Sequence, residues 1–315
     1  MKLIVAIIGP TASGKTTFAI ELAKRIGGEI IGMDSTTVYR GFDVGSSKPS
    51  KAEREMVPHH LIDVLDPDEN FSAGRFRDLA EAAISDIQSR NKIPLLVGGT
   101  YFYLRALQHG MYPLPEIPSE ITESIEREFF EEDQVNTTKM HAALASIDPV
   151  AAKNIHPNDK YRMVRALSIF RATKQLPSSL QPTPVSEQSK DRYWLKYAIG
   201  ISRHTLGQAI ANRTGQMLEQ GLVNETRAIA EKYPNAKALH SIGYHEAMEF
   251  LNRRLTEKQL RVEIIEKTRQ LAKRQVNWLR SDPEVRYIDF RDLDRTELEI
   301  KNLSFVFEKG AACAQ

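Results

Sequence analysis

The residues best suited to chemistry lie in the segment 9–16, which reads Gly-Pro-Thr-Ala-Ser-Gly-Lys-Thr. The pattern G-x-x-x-x-G-K-[ST], between an apolar run and a helical segment, is typical of a loop that binds phosphate groups. Glycines let such a loop turn its backbone N–H groups toward phosphate oxygens. A lysine adds positive charge, and the hydroxyl of Thr16 is suited to holding Mg²⁺. The pattern therefore predicts a diphosphate or triphosphate site formed by Gly9, Pro10, Thr11, Ala12, Ser13, Gly14, Lys15 and Thr16.

Polar residues also follow two other apolar runs of strand length. Asp34 follows residues 29–33, and Thr100 follows residues 93–97 after two glycines. Because ligands of open parallel sheets bind at the carboxyl ends of strands, we expect both residues beside the phosphate loop. From its position alone, Asp34 could be a general base, a partner of Mg²⁺ through water, or only a helix cap for residue 36 onward. The absence of an aspartate directly after residues 93–97 weakens an assignment as a nucleotide hydrolase.

The elements that must position these residues alternate between strands and helices. Apolar runs predict buried strands, and helical spacing of apolar residues with caps predicts the helices between them. The predicted strands cover residues 2–8, 29–33, 60–65, 93–97 and 194–201, and the predicted helices cover residues 14–26, 72–90, 204–217 and 256–280. This order predicts an α/β fold, a P-loop NTPase-like doubly wound parallel sheet.

The character of the sequence changes after residue 113. Closely spaced prolines indicate a linker, and a helix at residues 158–173 precedes a second proline-rich connection at 175–190. We therefore predict a core formed by residues 1–113 and 194–300 and a helical insertion domain at 114–193. Residues 301–315 carry no clear signal, and we expect a mobile tail there.

Bulk properties narrow the class of protein. The 315 residues carry a net charge of only +2, which gives no overall argument for nucleic acid. The single cysteine, Cys313, excludes a disulfide framework and a cysteine-based zinc site, and it fits a reducing compartment. The longest apolar runs are too short to span a membrane. Because the phosphate loop begins at residue 9, we expect no cleaved targeting peptide. We expect a cytoplasmic monomer, because no coiled-coil or edge-pairing pattern is present.

One helix carries a concentration of positive charge. Between residues 267 and 280 there is no acidic residue, and the cations are Lys267, Arg269, Lys273, Arg274 and Arg280. The apolar face on which this helix would pack consists of Leu260, Ile264, Leu271 and Trp278. The cationic side would then be free to bind a polyanion, although an ordinary solvated helix face would look the same.

Several further segments are long and non-repetitive. With the phosphate loop they are residues 9–16, 34–41, 58–63, 98–101, 155–165, 213–221, 242–244 and 268–275. In these segments the chain resembles the tRNA dimethylallyltransferases, also called tRNA isopentenyltransferases. The similarity extends from residue 9 to about residue 280, well beyond a shared phosphate loop.

The resemblance implies an activity and roles for four residues. Family members transfer a dimethylallyl group from dimethylallyl diphosphate to N6 of the adenine at position 37, 3′ of the tRNA anticodon, and release diphosphate. By the family pattern, Asp34 accepts the proton of the adenine amine and Lys15 and Arg213 bind the diphosphate, with Mg²⁺ held by Thr16. Thr100 would contact the target nucleotide or the metal shell. From the residues alone, Arg213 could also be an exposed helix arginine.

The resemblance also implies a binding surface for the anticodon stem-loop of tRNA. Its members are Asp34, Ser35, Thr36, Thr37, Thr100, Asn158, Asp159, Lys160, Tyr161, Arg162, Leu239, His240, Ser241, Ile242, Gly243, Tyr244, Lys273, Arg274, Gln275 and Arg280. The target base must swing out of its stack before it can react. Thr37 stands where the family usually has Gln, and its hydroxyl replaces an amide that both donates and accepts.

Two other activities remain open at this point. An adenylate isopentenyltransferase acting on free nucleotides would share the phosphate loop and Asp34, but it would not need the insertion or the cationic helix. A P-loop small-molecule kinase would transfer phosphate from ATP, and the missing strand-end aspartate argues against it.

Overall fold

The computed structural model describes residues 2–111, 117–131, 134–180 and 191–312 of the chain. It divides into two units, one formed by Met1–Gln108 and Ser186–Gln315 and the other by His109–Val185. The predicted insertion, residues 114–193, begins five residues after the second unit begins and ends eight residues after it ends. Residues 112–116 and 181–190, close to these limits, lie outside the described part of the chain.

Strands and helices alternate through most of the first unit. In the described residues the strands are β1 (Lys2–Ile8), β2 (Gly28–Met33), β3 (His59–His60), β4 (Ile93–Gly98), β5 (Phe130–Glu131), β6 (Gln134–Val135), β7 (Arg192–Ile199) and β8 (Val285–Ile288). The helices are α1 (Lys15–Ile26), α2 (Lys51–Met56), α3 (Ala73–Ser89), α4 (Tyr101–His109), α5 (Ser119–Phe129), α6 (Thr137–Ile147), α7 (Pro149–Asn154), α8 (Lys160–Thr173), α9 (Arg203–Glu219), α10 (Leu222–Lys232), α11 (Tyr244–Leu251), α12 (Glu257–Arg280) and α13 (Leu293–Ala312).

The first unit is built on a parallel six-stranded sheet in the order β3-β2-β4-β1-β7-β8. This confirms the predicted α/β fold with a parallel sheet. Strand β1 lies between β4 and β7, which explains why its residues after Lys2 are all buried. Ile8 pairs with Gly98 of β4 and also with Ala198 of β7. The three central strands therefore end at the same level, and the segments that follow them share one edge of the sheet.

The short strand β3 and the strand β8 differ from the sequence-based expectation. A strand was expected at 60–65, but Leu61 and Asp63 adopt left-handed backbone conformations with φ of 61° and 56°, which ends the pairing after His60. Strand β8 was not predicted, because two of its four residues are exposed and it lacks the long apolar run of the central strands.

Helices α1 and α13 cover the same side of the core. Phe18 and Leu22 of α1 pack in one cluster with Ile300 of α13, and Leu303 packs against that cluster. The expectation of a mobile tail from residue 301 is wrong for residues 301–307, because these residues continue α13, and Leu303 and Phe307 pack against that cluster. Residues 313–315 lie outside the described part of the chain.

A second cluster connects the segment after β2 with the later helices. Val38 and Phe42 pack with Met217 of α9, Tyr244 of α11 and Ile264 of α12. This packing brings α9 and α12 to the segment that follows Asp34. Among the described residues, no helix is both long and apolar enough to cross a membrane.

The second unit contains α5 to α8 and the two-stranded sheet β5-β6. Ile125 and Phe129 of α5 pack with Met140 and Leu144 of α6 and with Met163 of α8. Helix α8 begins two residues later than expected, at Lys160, because the side chain of Asp159 caps it by accepting the N–H of Arg162 at 3.1 Å.

Candidate active site

The phosphate loop follows β1 and ends at the first turn of α1. Ala12 and Gly14 adopt left-handed conformations with φ of 63° and 82°, and the N–H of Ser13 donates to the carbonyl of Pro10 at 3.3 Å. These turns place Gly14 as the N-cap of α1, so the positive end of the helix dipole faces the loop. The predicted strand–loop–helix setting of an anion site is thus present.

Two adjoining cavities lie at this edge of the sheet. The first, called the loop cavity, is about 680 Å³ and is lined by residues that include Ala12, Gly14, Lys15, Thr16 and Asn212. The second, called the Asp34 cavity, is about 490 Å³ and is lined by residues that include Thr11, Asp34, Ser35, Thr36 and Thr100. Arg213 and Met217 line both cavities. The remaining loop residues, Gly9, Pro10 and Ser13, are buried.

Lys15 is partly buried, and its ammonium donates to the carbonyl of Pro10 at 3.2 Å. Burial of the ammonium and the nearby charge of Arg213 lower the pKa of Lys15 to about 8, against the opposing effect of Asp34. An anion bound in the loop cavity would favour the protonated form of this lysine.

Binding of inorganic diphosphate should weaken as the pH rises above about 8, because Lys15 then loses its charge. We expect the Kd of the wild-type protein to rise by up to about tenfold per pH unit in this range. Titration calorimetry between pH 7 and 9.5 measures it. The Lys15→Arg variant is the control, because arginine stays protonated over this pH range. Diphosphate itself also changes protonation in this range, and this contribution cancels in the ratio of the two Kd values. Parallel pH curves for the two proteins would contradict this assignment.

Arg213 on α9 stands at the junction of the two cavities. Its guanidinium donates to the hydroxyl of Thr11 at 3.0 Å and to the carbonyl of Ser46 at 3.3 Å. Burial lowers its pKa, and the charge of Asp34 opposes that shift. The alternative of an exposed helix arginine is therefore wrong. The planar fork of arginine suits two-pronged contact with phosphate oxygens.

Asp34 uses one carboxylate oxygen to hold the local backbone. Its Oδ1 accepts the N–H of Thr36 at 2.8 Å, the hydroxyl of Thr36 at 2.6 Å and the N–H of Thr37 at 3.4 Å. No helix begins here among the described residues, so the proposed helix cap is wrong and the carboxylate closes a turn instead. Its Oδ2 makes no hydrogen bond to the described residues. The second oxygen is thus available to accept a proton in the Asp34 cavity.

The predicted RNA-contacting residues separate into groups. Those that line the Asp34 cavity are Asp34, Ser35, Thr36, Thr100, His240, Ser241, Ile242, Arg274 and Gln275. Four others, which do not line it, are buried: Thr37, Leu239, Gly243 and Tyr244. The hydroxyl of Tyr244 donates to Glu225 at 2.6 Å, and the backbone N–H of Thr37 donates to Asp34 within the turn that this carboxylate closes. For these four the structure supports a role in packing, and the unusual Thr37 does not reach the cavity surface.

Helix α12 presents cations on two sides. Arg274 lines the Asp34 cavity, whereas Lys273 and Arg280 line a separate groove of about 820 Å³ between α9 and α12. Arg203 and Arg269 line the same groove, here called the α9–α12 groove. These five cations form no salt bridge with any residue in the described ranges.

Two expectations for α12 need correction. Lys267 is not free for a polyanion, because its ammonium pairs with the buried Glu246 at 2.8 Å and with Glu263 at 3.3 Å. Trp278 is not a core residue. It is 40% exposed and lines the Asp34 cavity beside Tyr101, with ring centroids 6.0 Å apart. An aromatic surface is therefore available in the cavity.

The residues of 158–162 lie at the start of α8, in the second unit. Asn158, Lys160, Tyr161 and Arg162 are exposed, and Tyr161 is 80% exposed. Asp159 caps the helix. An exposed aromatic next to two cations is suited to single-stranded RNA, on which it can stack a base. Their role as RNA contacts stays a prediction.

Sequence reasoning missed the residues that hold the site together. Glu225 of α10 accepts the N–H groups of Val44 at 2.8 Å and of Gly45 at 3.1 Å, and this fixes the loop whose Ser46 orients Arg213. These contacts join residues more than 150 positions apart, and no local pattern indicates them.

The oxygen atoms near the loop fit a magnesium ion. Thr16 lines the loop cavity next to Lys15, and the carboxylate of Asp34 lines the adjoining cavity. The described residues contain no group of three or more His, Cys, Asp or Glu side chains that could hold a metal. Because Mg²⁺ is commonly held by one or two protein oxygens together with substrate phosphates and water, this sparse donor set is sufficient.

Comparison with known proteins gives consistent results. A family model described as IPP transferase matches residues 37–282. A tRNA dimethylallyltransferase of Koribacter versatilis is 40% identical over 291 residues, which cover 91% of this chain and 92% of that protein. One of Geobacter metallireducens is 42% identical over 289 residues, with the same coverage.

Solved structures agree with these relatives. The full-length tRNA isopentenylpyrophosphate transferase of Bacillus halodurans is 32% identical, with a TM-score of 0.71 and 99% of each chain covered. A eukaryotic dimethylallyltransferase acting on tRNA is 26% identical, with a TM-score of 0.70, covering 100% of this chain and 80% of that one.

Proposed function

The chain belongs to the IPP transferase family of tRNA dimethylallyltransferases, and we propose that it transfers a dimethylallyl group from dimethylallyl diphosphate to N6 of an adenine beside the tRNA anticodon. The observation that carries this proposal is the meeting of two cavities at Arg213, one lined by the phosphate loop and one lined by the carboxylate of Asp34. The donor would occupy the first, and the target base would occupy the second.

The donor half of the reaction needs stabilisation of negative charge. As the bond between the allylic carbon and the diphosphate oxygen breaks, its electron pair leaves with the diphosphate. The N–H groups of the loop, the positive end of α1, Lys15 and Arg213 would stabilise that charge. Mg²⁺, when bound by Thr16 and the phosphate oxygens, would neutralise further charge as a Lewis acid.

The acceptor half needs a base. N6 of the adenine forms the new bond to the allylic carbon and loses one proton, which the free Oδ2 of Asp34 accepts. Thr36 keeps the other oxygen fixed, so the carboxylate has a defined orientation. The target base would be swung out of the anticodon loop into the Asp34 cavity, where Tyr101 and Trp278 offer an aromatic surface.

A transfer assay tests this proposal. Unmodified tRNA is incubated with the protein, dimethylallyl diphosphate and Mg²⁺, and the nucleosides are then separated and identified by mass. We expect N6-dimethylallyladenosine in the tRNA and no product when AMP replaces it. Product on AMP with none on tRNA would contradict the proposal and favour a free-nucleotide enzyme.

The cationic side of α12 should supply the RNA-binding surface. We expect the Lys273→Glu, Arg274→Glu double variant to weaken tRNA binding and to reduce the slope of log K against log salt by about 1–2, because each lost phosphate contact removes about 0.7–0.9. Filter binding at several salt concentrations measures both quantities.

The matched control for that experiment is Lys258→Glu, which reverses an exposed lysine at the other end of α12. This control should keep the wild-type slope. An unchanged slope in the double variant would mean that α12 is not the RNA surface.

We also propose that the enzyme works as a monomer in the cytoplasm, where its tRNA substrate and a reduced Cys313 would both be found. A molar mass of two chains in light scattering would contradict the monomer.

A further inference from the structure

Gln275 of α12 joins two loops of the site with one side chain. Its Oε1 accepts the backbone N–H of Thr11 at 2.9 Å, and its Nε2 donates to the carbonyl of Gly99 at 3.0 Å. The N–H of Thr11 belongs to the phosphate loop, and the carbonyl of Gly99 belongs to the segment that carries Thr100. Both ends of the amide are therefore used within the protein, which does not fit a side chain reserved for RNA.

The surroundings of Gln275 are shaped for this bridge. A Cβ atom on Gly99 would collide with Nε2 of Gln275, so only glycine leaves room for the amide here. Gly9, Gly98 and Leu279 close a small space around the same side chain. Gly99 thus serves the approach of Gln275 to the backbone, in addition to any contact with a ligand.

Thr11 connects Gln275 to Arg213. Its backbone N–H donates to Gln275, and its hydroxyl accepts from the guanidinium of Arg213. A backbone fixed at Thr11 therefore fixes one of the two partners that orient Arg213. Without the amide, the N–H of Thr11 would need another partner, and the loop could relax around it.

We propose that Gln275 is a positioning residue for the donor site: it locks the phosphate loop to the end of β4 and, through Thr11, sets the orientation of Arg213. The identification of the diphosphate as that of the dimethylallyl donor rests on the proposed function. The effect of Gln275 on the affinity of the loop for diphosphate can be measured without it.

The experiment compares the Gln275→Met variant, which keeps the length of the side chain without its hydrogen bonds, with the wild-type protein. We expect the Kd of inorganic diphosphate to rise about tenfold, the loss produced by one or two hydrogen bonds. We expect the KM for dimethylallyl diphosphate to rise by a similar factor while the Kd of tRNA changes less than about twofold. Gln270→Met is the matched control, since Gln270 is exposed on the same helix.

A double-mutant cycle with Thr11→Val separates positioning from a general loss of packing. Thr11→Val keeps the N–H that Gln275 binds but removes the hydroxyl that accepts from Arg213. If Gln275 acts on Arg213 through that hydroxyl, the effect of Gln275→Met on the diphosphate Kd should fall below about threefold in the Thr11→Val background. Independent, additive effects would overturn the proposal. A diphosphate Kd that rises less than threefold in the single variant would also overturn it.

Thermal unfolding of each variant shows whether it is folded. Should Gln275→Met lose the fold, Gln275→Asn provides the same test, because it keeps the amide but is one methylene too short to reach both loops. Inorganic diphosphate reports on the loop without any transfer reaction. A wild-type protein that binds diphosphate but does not modify tRNA would thus refute the proposed function and leave this inference open to its own measurement.

Discussion

The Asp34→Asn variant should have a kcat about 10²–10⁴-fold below that of the wild-type enzyme, the range expected for loss of a general base. Asparagine keeps an oxygen that can accept from Thr36 and Thr37, so the turn at residues 34–37 should stay closed. What it lacks is the basic oxygen that would take the proton from the adenine amine. Single-turnover measurements with bound tRNA and donor report on that step directly.

The control for this variant is Asp68→Asn, which makes the same change at an exposed position. It should keep the wild-type kcat. Binding of inorganic diphosphate should also survive in Asp34→Asn, because the loop and Lys15 are unchanged. If Asp34→Asn turned over at the wild-type rate, the general base would have to be another group.

Loss of the Arg213 guanidinium should produce the second large effect. The Arg213→Gln variant should lose about 10²–10³-fold in kcat/KM for dimethylallyl diphosphate, the range found when one preorganised donor to a developing negative charge is removed. Arg213 lies between the two cavities and its orientation is set by Thr11 and Ser46, so its donors are fixed before the substrate arrives.

Arg213→Lys distinguishes charge from geometry. It keeps the charge but not the planar fork, so we expect an intermediate loss. Arg227→Gln, at an exposed position on α10, is the matched control. The assignment fails if Arg213→Gln keeps the wild-type kcat/KM, or if Arg227→Gln loses as much.

The parts of the site that follow local rules were predictable from the sequence. The phosphate loop is a contiguous motif, and its strand and helix appear at the expected positions. Ser72 caps α3, as its position before the helical spacing of apolar residues indicates. The resemblance to a family, rather than the residues alone, pointed to Arg213, and the structure places it at the loop.

The remaining features depend on contacts between distant segments. Gln275 lies on a helix whose local pattern predicts only a cationic face, and its bond to Thr11 spans 264 positions. Trp278 has the spacing of a core residue yet faces a cavity, because hydrophobicity does not indicate which neighbours a helix will have. Lys267 carries a charge like its neighbours, but the buried Glu246 comes from another helix.

The order of the strands has a consequence for truncated versions of the protein. The family model matches residues 37–282, which leaves out β1, α1, β2, β8 and α13. Strand β1 is the central strand that pairs with both β4 and β7, and the core side chains of α1 pack with Ile300. A fragment cut at the matched limits would lack the middle of its own sheet, so we expect it not to fold even though it carries the whole match to the family model.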